Sequence, residues 1–131
     1  KTLWHGHSFT ANPLGCAAAN ASLDLLEADP ACHEQFEQRH RIRMEGLAGH
    51  PSVQRVRLCG TIAAFDLVTN GEQGYLNPAG KVLRGLVKEQ GVLIRPLGDV
   101  VYLLPPLCIS DAQLDQCYDA LHSGLDALPT P

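Results

Sequence analysis

Residues 79–106 read AGKVLRGLVKEQGVLIRPLGDVVYLLPP, and the change of period inside this stretch decides the fold class. As far as Gln90, the apolar residues Val82, Leu83, Leu86 and Val87 recur at helical spacing along a segment that otherwise carries Lys, Arg and Glu. That pattern predicts an amphipathic helix over 79–90, stopped by Gly91. Beyond Gly91 the helical period is lost. Val92-Leu93-Ile94-Arg95-Pro96 and Val100-Val101-Tyr102-Leu103-Leu104 are short apolar runs on either side of Leu97-Gly98-Asp99, so they predict the two strands of a hairpin that Pro105-Pro106 closes.

Working outward, Val53 to Val68 is β-like, with Gly60 marking a bend or bulge, and Asn70-Gly71 and Asn77-Pro78 punctuate the loop that follows. On the other side Ser110 caps a last helix over 111–127, with Leu114, Cys117, Tyr118, Leu121 and Leu125 at helical intervals. Near the start, Asn12 is an N-cap residue and Pro13 occupies the first helical position, opening a helix crowded with small side chains. Asp29-Pro30 breaks it, and a more polar helix from about Ala31 to Leu47 runs up to Gly49. The order helix-helix-strand-helix-strand-strand-helix predicts an α+β fold, a small, largely antiparallel sheet with helices packed on one face.

With 131 residues, 45% of them hydrophobic and 18% charged, the chain is long and apolar enough for one globular domain and too apolar for disorder. A net charge of -4, with no basic stretch beyond the alternating Arg39, Arg41 and Arg43, argues against a nucleic-acid or anionic-membrane surface. The apolar run 92–109 carries Arg95, Asp99 and three prolines and is not a membrane span. Five cysteines without a CxxC pair suggest neither a disulfide framework nor a zinc ribbon but reduced thiols in a cytosol, with Cys16, Cys59 and Cys108 read as small core residues. The opening Lys1-Thr2-Leu3-Trp4-His5-Gly6 has no apolar h-region and looks cut from something longer.

Arg95 stands in the most apolar part of the chain, where an unpaired guanidinium is costly, so it calls for an anion. A substrate carboxylate gripped by the guanidinium fork is one answer, and a structural salt bridge to Asp99 or Asp66 is the other. His5-Gly6-His7-Ser8-Phe9-Thr10 places hydroxyls and glycine just ahead of a helix N-terminus, suited to a phosphate or to a plain capping loop. His5 and His7 lack a second compact ligand pair, so no metal site is expected. Tyr102 reads as a half-buried sheet residue or as a hydroxyl bordering a site.

Residues 5–19, HGHSFTANPLGCAAA, resemble the HG-(H/P)-(S/T)-(Y/F)-x-(G/A)-NP-L-(A/G)-C-A-A-A segment of class III aminotransferases, enzymes that depend on pyridoxal 5'-phosphate (PLP). Residues 91–106, GVLIRPLGDVVYLLPP, look like the GVLIRP-x-G-x-x-x-Y-L-x-PP segment of the branch of that family that serves biotin synthesis. The resemblance covers the whole chain. It implies the C-terminal small domain of a fold-type I PLP enzyme, with residues 1–11 as a cofactor-site loop and residues 12–131 as the small domain and its long interdomain helix. It puts Ser8, with His7 beside it, at the PLP phosphate of the other subunit of a homodimer. It gives Arg95 the substrate carboxylate and sets Gly6 and Tyr102 at the same substrate site. The implied reaction moves an amino group from S-adenosylmethionine to 8-amino-7-oxononanoate, a small-molecule chemistry of the cytoplasm. The family's Schiff-base lysine has no counterpart here, because Lys1, Lys81 and Lys88 match no PLP-lysine motif, so this piece alone is expected to be inactive. Another class III ω-amino acid aminotransferase, or a non-enzymatic α+β ligand-binding module, stays open at this point.

Overall fold

The computed structural model describes residues 4–71 and 73–128. Residues 1–3 of the expected cofactor-site loop and 129–131 of the expected domain therefore lie outside the described residues. The chain divides into two compact units, one through Cys32 and one from His33.

The first unit carries helix α1 (Pro13–Ala28). Its start follows from the sequence: Asn12 Oδ1 accepts from the amides of Leu14 at 3.0 Å and Gly15 at 3.3 Å, and Pro13 fills a position whose amide needs no partner. It ends at Asp29, ahead of Pro30, as expected. No residue of α1 is buried, and Leu14, Leu23 and Leu25 are exposed.

The second unit is the α+β layer. It comprises α2 (Cys32–Ala48), β1 (Val53–Cys59), β2 (Ile62–Leu67), α3 (Ala79–Glu89), β3 (Val100–Leu103) and α4 (Asp111–Asp126). The sheet runs β1-β2-β3 with both pairings antiparallel. Along β2 the register sets Ala63 against Leu103 and Phe65 against Val101. With Leu67, these residues form the core face, and they cluster with Met44 and Leu47 of α2, Leu83 and Val87 of α3, and Leu114, Tyr118 and Leu121 of α4. The opposite face carries Gln54, Arg57, Ala64, Asp66, Val100 and Tyr102, because side chains alternate along each strand. Helices thus cover one face of a small antiparallel sheet, as the order of elements required.

Two strands are assigned differently from the sequence reading. Val53 to Val68 is not one bent strand but the hairpin β1–β2, turned at Gly60, whose φ of +55° suits a residue without Cβ. The bulge lies earlier, between Gln54 and Arg57, with Arg55 at φ +52°. Conversely, Val92 to Pro96 forms no strand. Its composition is right, but Pro96 has no N–H to give a ladder, and the pairing there shrinks to one isolated bridge between Leu97 and Val100.

The α4 cap is as read, and doubled. Ser110 Oγ accepts from the Gln113 amide at 3.2 Å, while the Gln113 side chain accepts from the Ser110 amide at 3.0 Å. Arg39 and Arg43 of α2 reach the same first turn, at 2.9 Å and 3.1 Å from Asp111. The cysteine reading is overturned: Cys16, Cys59 and Cys108 are all exposed rather than core. Their apolar neighbours in sequence face outward with them, as exposed Leu14, Ile62 and Leu107 show.

Candidate functional site

Arg95 and Tyr102 come together. Both line a groove of about 350 Å³ whose walls include Ile94, Leu103, Leu114 and Cys117. The irregular run 92–98 turns its side chains in and out: Ile94 is buried, while Leu93 and Arg95 are exposed. Arg95 is therefore not the buried guanidinium that its apolar neighbours suggested. Neither structural partner proposed for it pairs with it. Asp66 is taken by Arg55 and, at 2.7 Å, by Arg57, and Asp99 Oδ1 accepts from the Gly74 amide at 3.1 Å. Among the described residues Arg95 makes no ion pair. Its five donors remain for an external anion. Tyr102, paired with Ala64 on β2, is half-buried and lines the same groove. On the other wall, burial pushes the Cys117 thiol above its ordinary range, so it lines the groove as a protonated thiol at neutral pH.

The turn that carries Arg95 is held tightly. Leu97 and Val100 exchange backbone hydrogen bonds of 2.9 and 3.1 Å, and Gly98 sits at φ +65°. A Cβ on Gly98 would stand 2.0 Å from the Gly74 carbonyl oxygen, and one on Gly80 2.1 Å from the Gly98 oxygen. Three backbones meet here with no room for a side chain. The sequence reading treated Asp99 only as a candidate counter-ion, and nothing in residues 97–100 alone signals that Gly74 is its partner.

In the first unit, Gly6, His7 and Ser8 lie in an exposed segment. Residues 7–10 form a tight turn in which the Thr10 amide donates to the His7 carbonyl at 2.9 Å and the His7 amide to Thr10 Oγ1 at 2.9 Å. His7 Nδ1 accepts from the Phe9 amide at 3.1 Å, so that ring edge is spent on the turn. Among the described residues, the Ser8 amide and hydroxyl have no partner. Adjacent uncommitted N–H and O–H donors fit the oxygens of a phosphate group such as that of PLP. Among the described residues no group of three or more His, Cys, Asp or Glu side chains could hold a metal ion, and no helix is long and apolar enough to cross a membrane.

The family model of aminotransferase class-III matches residues 1–125. The chain belongs to the class-III aminotransferases. Among its relatives is an adenosylmethionine-8-amino-7-oxononanoate aminotransferase of Synechococcus elongatus, 50% identical over 127 residues that cover 97% of this chain and 30% of that protein. The protein of the same name from Geobacter sulfurreducens is 37% identical over 95% of this chain and 29% of its own length. Among solved structures, the adenosylmethionine-8-amino-7-oxononanoate aminotransferase of Methanocaldococcus jannaschii superposes with a TM-score of 0.79 at 29% identity, covering 95% of this chain and 30% of that one. The ω-transaminase of Pseudomonas jessenii, solved in complex with PMP, gives 0.78 at 26% identity over 95% of this chain and 29% of its own. The class-III chain therefore spans about 30% of the length of the relatives it matches, and its second unit has the fold found in fold-type I PLP transaminases.

Proposed function

We propose that the chain is the C-terminal part of a PLP-dependent transaminase that moves an amino group from S-adenosylmethionine to 8-amino-7-oxononanoate, giving 7,8-diaminononanoate in biotin synthesis. The observation that carries this reading is Arg95, a guanidinium exposed on an apolar groove with no protein counter-ion among the described residues. An oxo acid with a terminal carboxylate and an aliphatic chain matches both features: the carboxylate accepts two parallel N–H bonds, and the chain leaves water for apolar surface.

PLP, when bound, supplies the electron sink for amino transfer. This chain contributes positioning. Arg95 fixes the distal end of the oxo acid and so sets how far its ketone extends toward the reacting centre, and Tyr102 limits its lateral freedom, while Gly6, in the loop of Ser8, lines the substrate site of a second subunit. Ser8, through its amide and hydroxyl, and His7 beside it hold the cofactor phosphate of a second subunit. In this reading residues 1–11 are the cofactor-site loop and 12–131 the small domain with its interdomain helix, in a homodimeric cytoplasmic enzyme. The likeness to the Pseudomonas jessenii enzyme favours a second reading, an ω-transaminase that takes ω-amino acids as amino donors.

Half-reaction kinetics on the full-length protein test both. Arg95→Ala should lose about 2–4 kcal/mol of transition-state binding for the oxononanoate, the magnitude for truncating one member of a charged hydrogen-bonded pair, and far less in the half-reaction with S-adenosylmethionine. Equal losses in both half-reactions would remove the carboxylate role. Turnover of ω-amino acids in place of S-adenosylmethionine would select the second reading.

A further inference from the structure

We infer that Asp99 is a positioning residue for Arg95: its side chain ties the 97–100 turn to the loop at 73–77 and so sets where the guanidinium stands. The inference rests on the reading of Arg95 as the carboxylate-binding group.

Arg95 has no ion pair among the described residues and lies in a run without ladder pairing, so the backbone that follows it must place it. That backbone is the 97–100 turn, held from three sides. The Gly80 amide donates to the Gly98 carbonyl at 3.1 Å, the Leu67 amide to the Asp99 carbonyl at 2.9 Å, and the Gly74 amide to Asp99 Oδ1 at 3.1 Å. The first two are main-chain bonds that any residue at 99 would leave in place. The third needs an acceptor on the side chain. It also joins the turn to a loop that is itself organised, since the Asn77 amide donates to the Gly74 carbonyl and Asn77 Oδ1 accepts from the Ala79 amide at the head of α3.

The tie is held at a cost. Asp99 is 1% exposed, and among the described residues its buried Oδ2 has no hydrogen-bond partner. A half-satisfied buried carboxyl lowers stability rather than raising it. Local features that destabilise, here joined to glycines at φ +65° and +120°, persist where a geometry is needed, and the geometry they fix is four residues from Arg95.

The test uses the full-length enzyme with Asp99→Ala, Asp99→Asn, Arg95→Ala and the double alanine variant. Asp99→Ala should raise KM for 8-amino-7-oxononanoate about tenfold, leave kcat within about twofold, and leave the half-reaction with the amino donor unchanged. Asp99→Asn keeps an oxygen that accepts from Gly74 and should restore the parent KM. Adding Asp99→Ala to Arg95→Ala should change nothing further, because once the guanidinium is gone the turn has nothing left to position. A parent KM in Asp99→Ala, while Arg95→Ala is impaired, would overturn the positioning role and leave the carboxylate reading intact. An Asn variant as impaired as Ala would do the same. An unimpaired Arg95→Ala would instead defeat the carboxylate reading and the inference with it. Should the Asp99 variants not fold, hydrogen exchange on the parent enzyme decides: the Gly74 amide should exchange slowly, and fast exchange there contradicts the tie.

Discussion

The hydroxyl of Tyr118 on α4 donates to Nδ1 of His40 on α2 across 2.7 Å, in the interior of the helical layer where His40 is fully buried. The direction of that bond follows from the other side of the ring, where Nε2 lies 3.2 Å from the Thr61 carbonyl, which can only accept. Nε2 therefore carries the proton and Nδ1 is the acceptor. Burial, helped by the positive charges of Arg39 and Arg43, holds the His40 pKa below its ordinary value and outweighs the opposing bond to Thr61. The folded protein then binds fewer protons at this ring than the unfolded chain, whose histidine titrates near about 6.5. Stability should be level above about pH 7 and fall as pH drops below about 6.5. Urea unfolding midpoints from about pH 7.5 to about pH 5.5 check this, and His40→Gln should flatten the curve. The Glu37 and Asp111 carboxyls, held low by the Gly60 amide and by Arg39 respectively, act in a separate window, losing their contribution below about pH 5.

Tyr118→Phe tests the same pair without changing pH. The phenyl ring keeps its place in the core cluster that also holds Met44 of α2 but leaves Nδ1 buried with no donor, which should cost about 1–3 kcal/mol. In an His40→Leu background the same substitution should cost much less, since the orphaned acceptor is gone. Equal costs in both backgrounds would mean the hydroxyl bond contributes nothing.

What was legible in the sequence was what local chemistry alone decides. Asn12-Pro13, Asp29-Pro30, Ser110 with Gln113, and the 3.6-residue apolar stripes placed all four helices to within a few residues. The strands were harder because their assignment depends on partners. Gly60 looks the same in a bulge and in a tight turn, and only the pairing of Cys59 with Ile62 tells them apart. Arg55 gives no sign that it takes φ +52°. Arg95 and Tyr102 were set at one site by the family resemblance rather than by the residues themselves, and the Asp99 to Gly74 bond, which spans 25 positions, has no local signature at all.

The three-backbone contact predicts opposite outcomes for two glycines of α3. Gly80→Ala would place a methyl 2.1 Å from the Gly98 carbonyl oxygen and 2.6 Å from Pro96 Cβ, and neither can retreat without moving the turn. It should destabilise by about 1–3 kcal/mol, the range for overpacking. Gly85, one turn and a half further on, is exposed with nothing within 4 Å of its would-be Cβ. Gly85→Ala should stabilise by about 0.5–1 kcal/mol through helix propensity. Thermal unfolding of the two variants reads the sign directly, and a stabilised Gly80→Ala would show that the α3 terminus is not pressed against the turn.

Thiol reactivity separates the groove wall from the surface. The thiolate is the nucleophile, so rate follows both exposure and pKa. Cys59 and Cys108 are exposed, while Cys117 is only partly accessible and its pKa is raised by burial. Alkylation with iodoacetamide at about pH 8, read by peptide mass spectrometry, should therefore modify Cys59 and Cys108 well before Cys117, and denaturation should bring Cys117 level with them. The lag has a use beyond confirming burial. Cys117 shares the groove with Arg95, so a carboxylate ligand seated there should slow its alkylation further without touching the rate at Cys59, which lies on β1 away from the groove lining. Protection of both thiols alike by such a ligand would point to a global effect rather than occupancy of the groove, and no protection of Cys117 would place the carboxylate on the outer side of Arg95, clear of the α4 wall.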